Sequence, residues 1–232
     1  MSLLVLFSFS SYEEITPGST VPKQISKTDK TGNTIKTNLI FTVPDNYTPK
    51  SKFPLIVCLH GTGSNSVAFH NLFKPVSDEL GFILLTPQGG KMTDENFGWK
   101  WNENAEQSVL NTIDYVRHTV NIDISKIYIL GFSSGGSLAW KIGMKFPYNF
   151  TGIVPLCCTI GPEKITPANF HQKFYLAHGE LEFLLHESFS KIHNILKQNN
   201  SNVKYVIYDG VGHNLPEPKG EEIRRILEFL NQ

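Results

Sequence analysis

The run Gly131-Phe132-Ser133-Ser134-Gly135 sets a serine between glycines at the spacing G-x-S-x-G. An apolar stretch, Ile127 to Leu130, leads straight into it, and a helix-compatible stretch leads out. That is the strand, turn and helix context in which a nucleophile elbow is built. A turn this tight needs neighbours with almost no side chain, and glycine tolerates the close approach. The Ser133 Oγ would stand clear of the sheet, with the N–H groups of the next helix pointing at whatever binds there. The chemistry of such an oxygen is attack on a carbonyl carbon. A five-residue string of small residues recurs by chance, so a base, an acid and a second donor for the developing oxyanion must also be present.

A serine hydroxyl is a poor nucleophile until a neighbouring imidazole takes its proton. Asp209-Gly-Val-Gly-His213 follows the last apolar strand and puts His213 at the same sheet edge as Ser133. Of the other histidines, His60 and His178 each precede a glycine at a strand end and read as loop-shaping residues. The chain order serine, acid, histidine places the acid between 133 and 213. There Ala177-His178-Gly179-Glu180-Leu181-Glu182 ends the penultimate strand, and either glutamate could reach the imidazole. Asp209 is a weaker rival because it belongs to a turn. His60-Gly-Thr-Gly63 ends an earlier strand and supplies backbone donors, so the Thr62 and Ser134 amides are the expected oxyanion hole. Trp99 and Trp101 lie two apart in a long polar loop, where they either wall the acyl or alcohol pocket or cap the core. Phe132, beside the serine, is grouped with them as a substrate-binding candidate.

The elements that must hold these residues follow from periodicity. Lys23 to Val43 alternates polar and apolar residues about Lys30-Thr-Gly-Asn33, which predicts an antiparallel hairpin at the start of the sheet. Continuous apolar runs at Pro54 to Leu59, Phe82 to Leu85, Ile127 to Leu130, Gly152 to Cys157, Lys173 to Ala177 and Val203 to Tyr208 are strands buried on both faces. Helical stretches separate most of them, at Val67 to Leu80, Ala105 to Val120, after Ser133 to Phe146, Ser188 to Gln198 and Glu221 to Leu230. Thr86 to Asn104 reads as a loop, long enough to suggest a function. Such alternation predicts an α/β fold with a mostly parallel central sheet, antiparallel N-terminal strands and helices on both faces. Ligands bind such sheets beyond the carboxyl ends of the strands. The connection between Cys157 and Lys173 is too short for an inserted lid domain.

Length and composition narrow the rest. A chain of 232 residues suits one well-buried domain. We divide it into an N-terminal extension over 1–20 and a catalytic domain over 21–232. Lysine plus arginine and aspartate plus glutamate number 21 each and form no blocks, which argues against nucleic acid or a polybasic membrane anchor and for a small-molecule partner. Cys58, Cys157 and Cys158 all lie in apolar runs, as reduced buried thiols do, and neither a disulfide framework nor a zinc site is expected. The opening Met1-Ser-Leu-Leu-Val-Leu-Phe-Ser-Phe-Ser10 reads equally as a signal remnant or as a plain terminal strand or disordered end. Location is left open between cytoplasm and export, as is the oligomeric state. No run reaches the roughly 18 to 20 apolar residues of a membrane span.

With His60-Gly-Thr-Gly63, Gly131-Phe-Ser-Ser-Gly135, His178-Gly-Glu-Leu-Glu182 and Gly212-His213 in this order, the chain resembles the α/β-hydrolase superfamily. The nearest likeness is to its small lid-less carboxylesterase/phospholipase and polyhydroxybutyrate depolymerase/feruloyl esterase branch. The likeness runs from about Asn38 to the C-terminus, since Leu39-Ile-Phe-Thr-Val-Pro-Asp-Asn-Tyr47 and Phe53-Pro-Leu-Ile-Val-Cys-Leu-His-Gly61 look like that branch's opening. The branch writes its acid as H-G-x-x-D, which falls on Glu182, with glutamate in place of aspartate. Its tryptophan-bearing segment beside the active site resembles Phe97-Gly-Trp-Lys-Trp101. The resemblance implies ester hydrolysis without metal or organic cofactor, through Ser133, His213 and Glu182; the short Cys157 to Lys173 connection and the pair Trp99 and Trp101 point to short-acyl or aromatic esters. A peptidase or acyltransferase of the same fold, and a non-catalytic binding protein, are the competing expectations.

Overall fold

The computed structural model describes residues 15–28, 32–93, 97–99, 103–199 and 201–232. The expected hairpin is present as β1 (Thr20–Thr28) and β2 (Thr34–Thr42), paired antiparallel from Thr20↔Thr42 to Thr28↔Thr34. Part of the turn assigned to Lys30 through Asn33 lies outside the described residues, as does most of the extension over 1–20. Next come β3 (Phe53–Leu59), α1 (Ser66–Glu79), β4 (Ile83–Pro87), and a small ribbon of β5 (Gly90–Lys91) with β6 (Phe97–Gly98). Then follow α2 (Glu103–Thr119), β7 (Ile122–Phe132), α3 (Ser134–Lys145), β8 (Gly152–Leu156), β9 (Lys173–Gly179), α4 (Phe183–Gln198), β10 (Asn202–Tyr208) and α5 (Lys219–Asn231).

Eight strands form the main sheet in the order β1-β2-β4-β3-β7-β8-β9-β10. The β1/β2 and β2/β4 pairs are antiparallel; from β4 through β10 every pair is parallel. The period-two alternation of strand side chains decides what each face covers. On β3, Leu55, Val57 and Leu59 enter one core with Val109 and Ile113 of α2, Leu138 and Ile142 of α3, and Phe189 and Ile192 of α4. Ile56 and Cys58 enter the other, with Phe69 and Phe73 of α1 and Ile223, Ile226 and Leu227 of α5. Helices on both faces therefore bury strands that the sequence marks as apolar throughout.

One strand and one helix begin earlier than their apolar patterns suggest, for identifiable reasons. β7 starts at Ile122 because that residue pairs with Phe53 before the register shifts, so that Leu55 meets Ile127; the polar residues between ride in the irregularity, with Asp123 accepting from Ser125. α4 starts at Phe183, but its first turn faces outward, and the buried stripe that marks it in sequence begins only at Phe189. The long loop after β4 also carries the β5/β6 ribbon, too short to leave a periodic signal. Between β8 and β9 run two 3-10 turns, Pro162–Lys164 and Pro167–Asn169, and no lid domain is inserted there. Among the described residues no helix is long and apolar enough to cross a membrane.

Candidate active site

The elbow sits where β7 hands over to α3 at the centre of the sheet. Ser133 has φ 55° and ψ −123°, a conformation rarely held by a residue with a side chain. Its N–H donates to the Leu156 carbonyl at the end of β8, 2.9 Å away, which anchors the turn to the next strand. Glycine at 135 is required by close approach, since a Cβ there would collide with the carbonyl oxygens of Leu59 and His60. Ser134 is the first residue of α3, so its N–H has no partner within the helix and faces the end of the sheet where the serine stands.

His213 lies on the loop after β10. Its Nε2 is 2.9 Å from the Ser133 Oγ and its Nδ1 is 2.6 Å from Glu182 Oε1. Eighty residues separate serine from histidine in sequence, and the parallel sheet alone brings them together. The imidazole packs against the Phe132 ring at 4.9 Å between centroids, which fixes the plane of the base beside the nucleophile. The histidine side chain is 53% exposed and the Glu182 side chain 12%, so the pair opens to solvent on the imidazole side.

The acid is positioned by a short loop that closes on itself. Glu182 precedes α4, its N–H donating to the Gly179 carbonyl while its Oε2 accepts the Gly179 N–H at 2.9 Å. This fold-back absorbs the extra methylene of glutamate and leaves Oε1 free for the imidazole. The loop lies against the histidine loop, with the Leu181 N–H donating to the Val211 carbonyl at 3.0 Å. Gly179 permits that contact, because a Cβ there would run into the Gly212 and Val211 carbonyls. Glu180, the other carboxylate the sequence left open, is turned away and accepts the Gly210 N–H at 2.9 Å.

The His60 to Gly63 loop ends β3 next to the elbow, close enough that a Cβ at Gly61 would lie 3.3 Å from the Ser133 Cβ. The Thr62 hydroxyl donates to the Ser134 hydroxyl at 2.9 Å, bridging the two residues expected to supply the oxyanion donors. Behind the loop, His60 is fully buried. Its Nε2 accepts the Gly89 N–H at 3.0 Å, which leaves Nδ1 protonated and donating to the Gly61 carbonyl at 2.9 Å. Burial holds its pKa below the ordinary histidine value, in keeping with that neutral tautomer. Trp99 is buried too, its indole N–H donating to the His60 carbonyl at 2.8 Å. It thus supports the loop from within the core and is not an open wall of the site. Trp101 lies outside the described residues.

His178 shapes the acid loop as His60 shapes the other. It is buried, with Nδ1 2.8 Å from the Gly179 carbonyl and Nε2 2.8 Å from the Tyr205 hydroxyl. His186 on α4 adds a contact at 3.0 Å to the Glu180 carbonyl, which its sequence position did not signal. Cys157 is a free, buried thiol, as its apolar run predicts, but its backbone carries no signal in the sequence. It has φ 49°, a conformation that only a glycine would have announced in the sequence. Among the described residues there is no group of histidine, cysteine, aspartate and glutamate able to hold a metal ion.

The strand order and the elbow at its centre define an α/β-hydrolase. The phospholipase/carboxylesterase family model matches residues 47–232, and the chain belongs to that family. It is 26% identical over 140 residues to probable carboxylesterase 8 of Arabidopsis thaliana, covering 53% of this chain and 42% of that protein. It is likewise 26% identical over 147 residues to feruloyl esterase B of Neurospora crassa, covering 56% and 48%. A poly(3-hydroxybutyrate) depolymerase of Ralstonia pickettii matches at 26% over 125 residues, 46% of this chain and 25% of that one. The matched region spans less than half the length of each of these relatives. Among solved structures, a thermostable esterase superposes with a TM-score of 0.69 at 20% identity, covering 90% of this chain and 62% of its own. A ferulic acid esterase does so with a TM-score of 0.71 at 16% identity, covering 91% and 98%. At those identities the structural likeness is one of fold.

Proposed function

We propose that the protein is a serine carboxylic-ester hydrolase working through a Ser133-His213-Glu182 triad and an acyl-enzyme. The observation that carries this reading is the unbroken chain of contacts, 2.9 Å from Oγ to Nε2 and 2.6 Å from Nδ1 to Oε1. Ser133 Oγ attacks the ester carbonyl while its proton passes to His213 Nε2. Glu182 keeps Nδ1–H in place and stabilises the imidazolium as it forms. The carbonyl oxygen gains charge next to the Thr62 and Ser134 amides, where one well-placed donor is worth about 3 kcal/mol. Collapse of the tetrahedral adduct expels the alcohol, which takes the proton from Nε2. Water, deprotonated by the same nitrogen, then attacks the acyl-enzyme and releases the acid and Ser133.

The substrate class follows from how open the site is. A half-exposed imidazole and a β8 to β9 connection that carries no inserted lid favour short-acyl or soluble aromatic esters. The feruloyl esterases among the relatives fit the aromatic choice. Rapid mixing with nitrophenyl acetate tests the acyl-enzyme: a burst of nitrophenol equal to the enzyme concentration is expected, and Ser133→Ala should abolish it. A chain-length series of nitrophenyl esters tests the substrate class. Turnover should fall steeply as the acyl chain lengthens, and equal turnover of short and long chains would sink the short-acyl reading.

A further inference from the structure

Cys157 follows β8 in a left-handed conformation, φ 49°, which favours glycine and is strained for a side chain. It is also the point at which the loops of the three proposed catalytic residues meet. The residue before it, Leu156, accepts the Ser133 N–H at 2.9 Å. Its own N–H donates to the Ala177 carbonyl on β9 at 2.9 Å, two residues ahead of the loop that bears Glu182. Its thiol donates to the carbonyl of Asn214, the residue after His213, at 3.5 Å. Burial first, and the nearby Glu182 carboxylate second, push the thiol's pKa well above the ordinary cysteine value. Buried and held protonated, this cysteine is no nucleophile. What remains to it is a single S–H donated to the loop that carries His213, from a residue whose own backbone is tied to β9 and whose neighbour anchors the elbow.

We propose that Cys157 is a positioning residue: its thiol, donating to the Asn214 carbonyl, holds the loop of His213 at a fixed distance from the elbow that Leu156 anchors. The inference rests on the triad reading above and acts through His213. A cysteine that merely filled space would affect stability and leave kcat untouched.

The test is steady-state kinetics on nitrophenyl acetate with Cys157→Ala, Cys157→Ser, Cys157→Gly and His213→Ala, alone and with Cys157→Ala and His213→Ala combined. Cys157→Ala should lower kcat roughly tenfold, the scale of one lost hydrogen bond, with KM unchanged. Cys157→Ser keeps a donor and should lose less. Cys157→Gly relieves the backbone and removes the thiol, so it should fold at least as well as the alanine variant and lose kcat to the same extent. In the His213→Ala background Cys157→Ala should cost little more, because its route of action is already gone. Wild-type kcat in both the alanine and glycine variants, or an alanine loss that multiplies in full with that of His213→Ala, overturns the proposal while the triad stands. Full activity of Ser133→Ala would instead remove the triad reading and this inference with it.

Discussion

Replacing Glu182 by glutamine keeps the shape of the side chain and removes its charge, so it isolates what the carboxylate does for His213. In the resting site the 2.6 Å contact to Nδ1 is short, as charge-assisted hydrogen bonds are. During attack the imidazole becomes a cation, and carboxylate and imidazolium charge centres then lie roughly 4 Å apart. With the imidazole half-exposed, an effective dielectric of about 20 applies, and their attraction is about 4 kcal/mol. That corresponds to roughly a thousandfold in rate. A glutamine amide can also donate to Nδ1 and hold the ring in the tautomer whose Nε2 is already protonated, which raises the expected loss toward ten-thousandfold. The assay is kcat on nitrophenyl acetate for Glu182→Gln and Glu180→Gln, with circular dichroism to verify the fold. Glu180 only accepts the Gly210 N–H, so its variant should stay within a few-fold of wild type. A Glu182→Gln enzyme within tenfold of wild type, or a Glu180→Gln enzyme that loses more, would refute the assignment of the acid.

Two further outcomes follow from the packing. Gly179→Ala should abolish most activity, because the added methyl collides with the Gly212 and Val211 carbonyls and pushes the acid loop off the histidine loop; wild-type kcat in that variant contradicts the described closeness. His70 is buried between the Thr42 and Thr86 hydroxyls, and burial first, with Lys74 second, lowers its pKa from 6.5 to about 4. The folded state therefore resists a proton that the unfolded chain accepts. Its contribution is complete above pH 6.5 and is lost as pH falls toward about 4, by about 3 kcal/mol in all. Burial shifts His60 and His178 in the same direction, so the informative quantity is the difference between wild type and His70→Gln in urea unfolding at neutral and acid pH. An identical pH slope in the two proteins would exclude His70 as a source.

Much of this architecture was legible because its signals are local. Continuous apolar runs such as Leu55 to Leu59 can only be strands covered on both sides, and the α/β alternation follows from them. Ser133, His213 and the glycines around them could be read because an elbow and a strand-end histidine each have a short sequence form. The residues alone leave Glu180 and Glu182 open, and only the resemblance to H-G-x-x-D points to Glu182. The choice depends on which carboxylate the loop folds toward Nδ1, and the return contact from Glu182 Oε2 to the Gly179 N–H is a matter of three-dimensional closure. The sequence leaves Trp99 open between a pocket wall and a cap on the core, because a polar loop does not say which way its indole turns; the ring is buried and its N–H donates to the His60 carbonyl. Cys157 reads as a buried thiol and is one, but nothing in a cysteine at the end of an apolar run announces a positive φ or an acceptor on a loop far along the chain.

The central claim is that Ser133 is a nucleophile activated by His213, and a fluorophosphonate probe tests it most directly. Such a reagent is attacked by an activated serine and stays attached, so peptide mapping by mass spectrometry reports the residue and the time course reports its activation. The account predicts stoichiometric labelling on the peptide bearing Ser133, none in Ser133→Ala, and labelling slowed by orders of magnitude in His213→Ala. Modification of a different residue, or a His213→Ala protein labelled as fast as wild type, would contradict it.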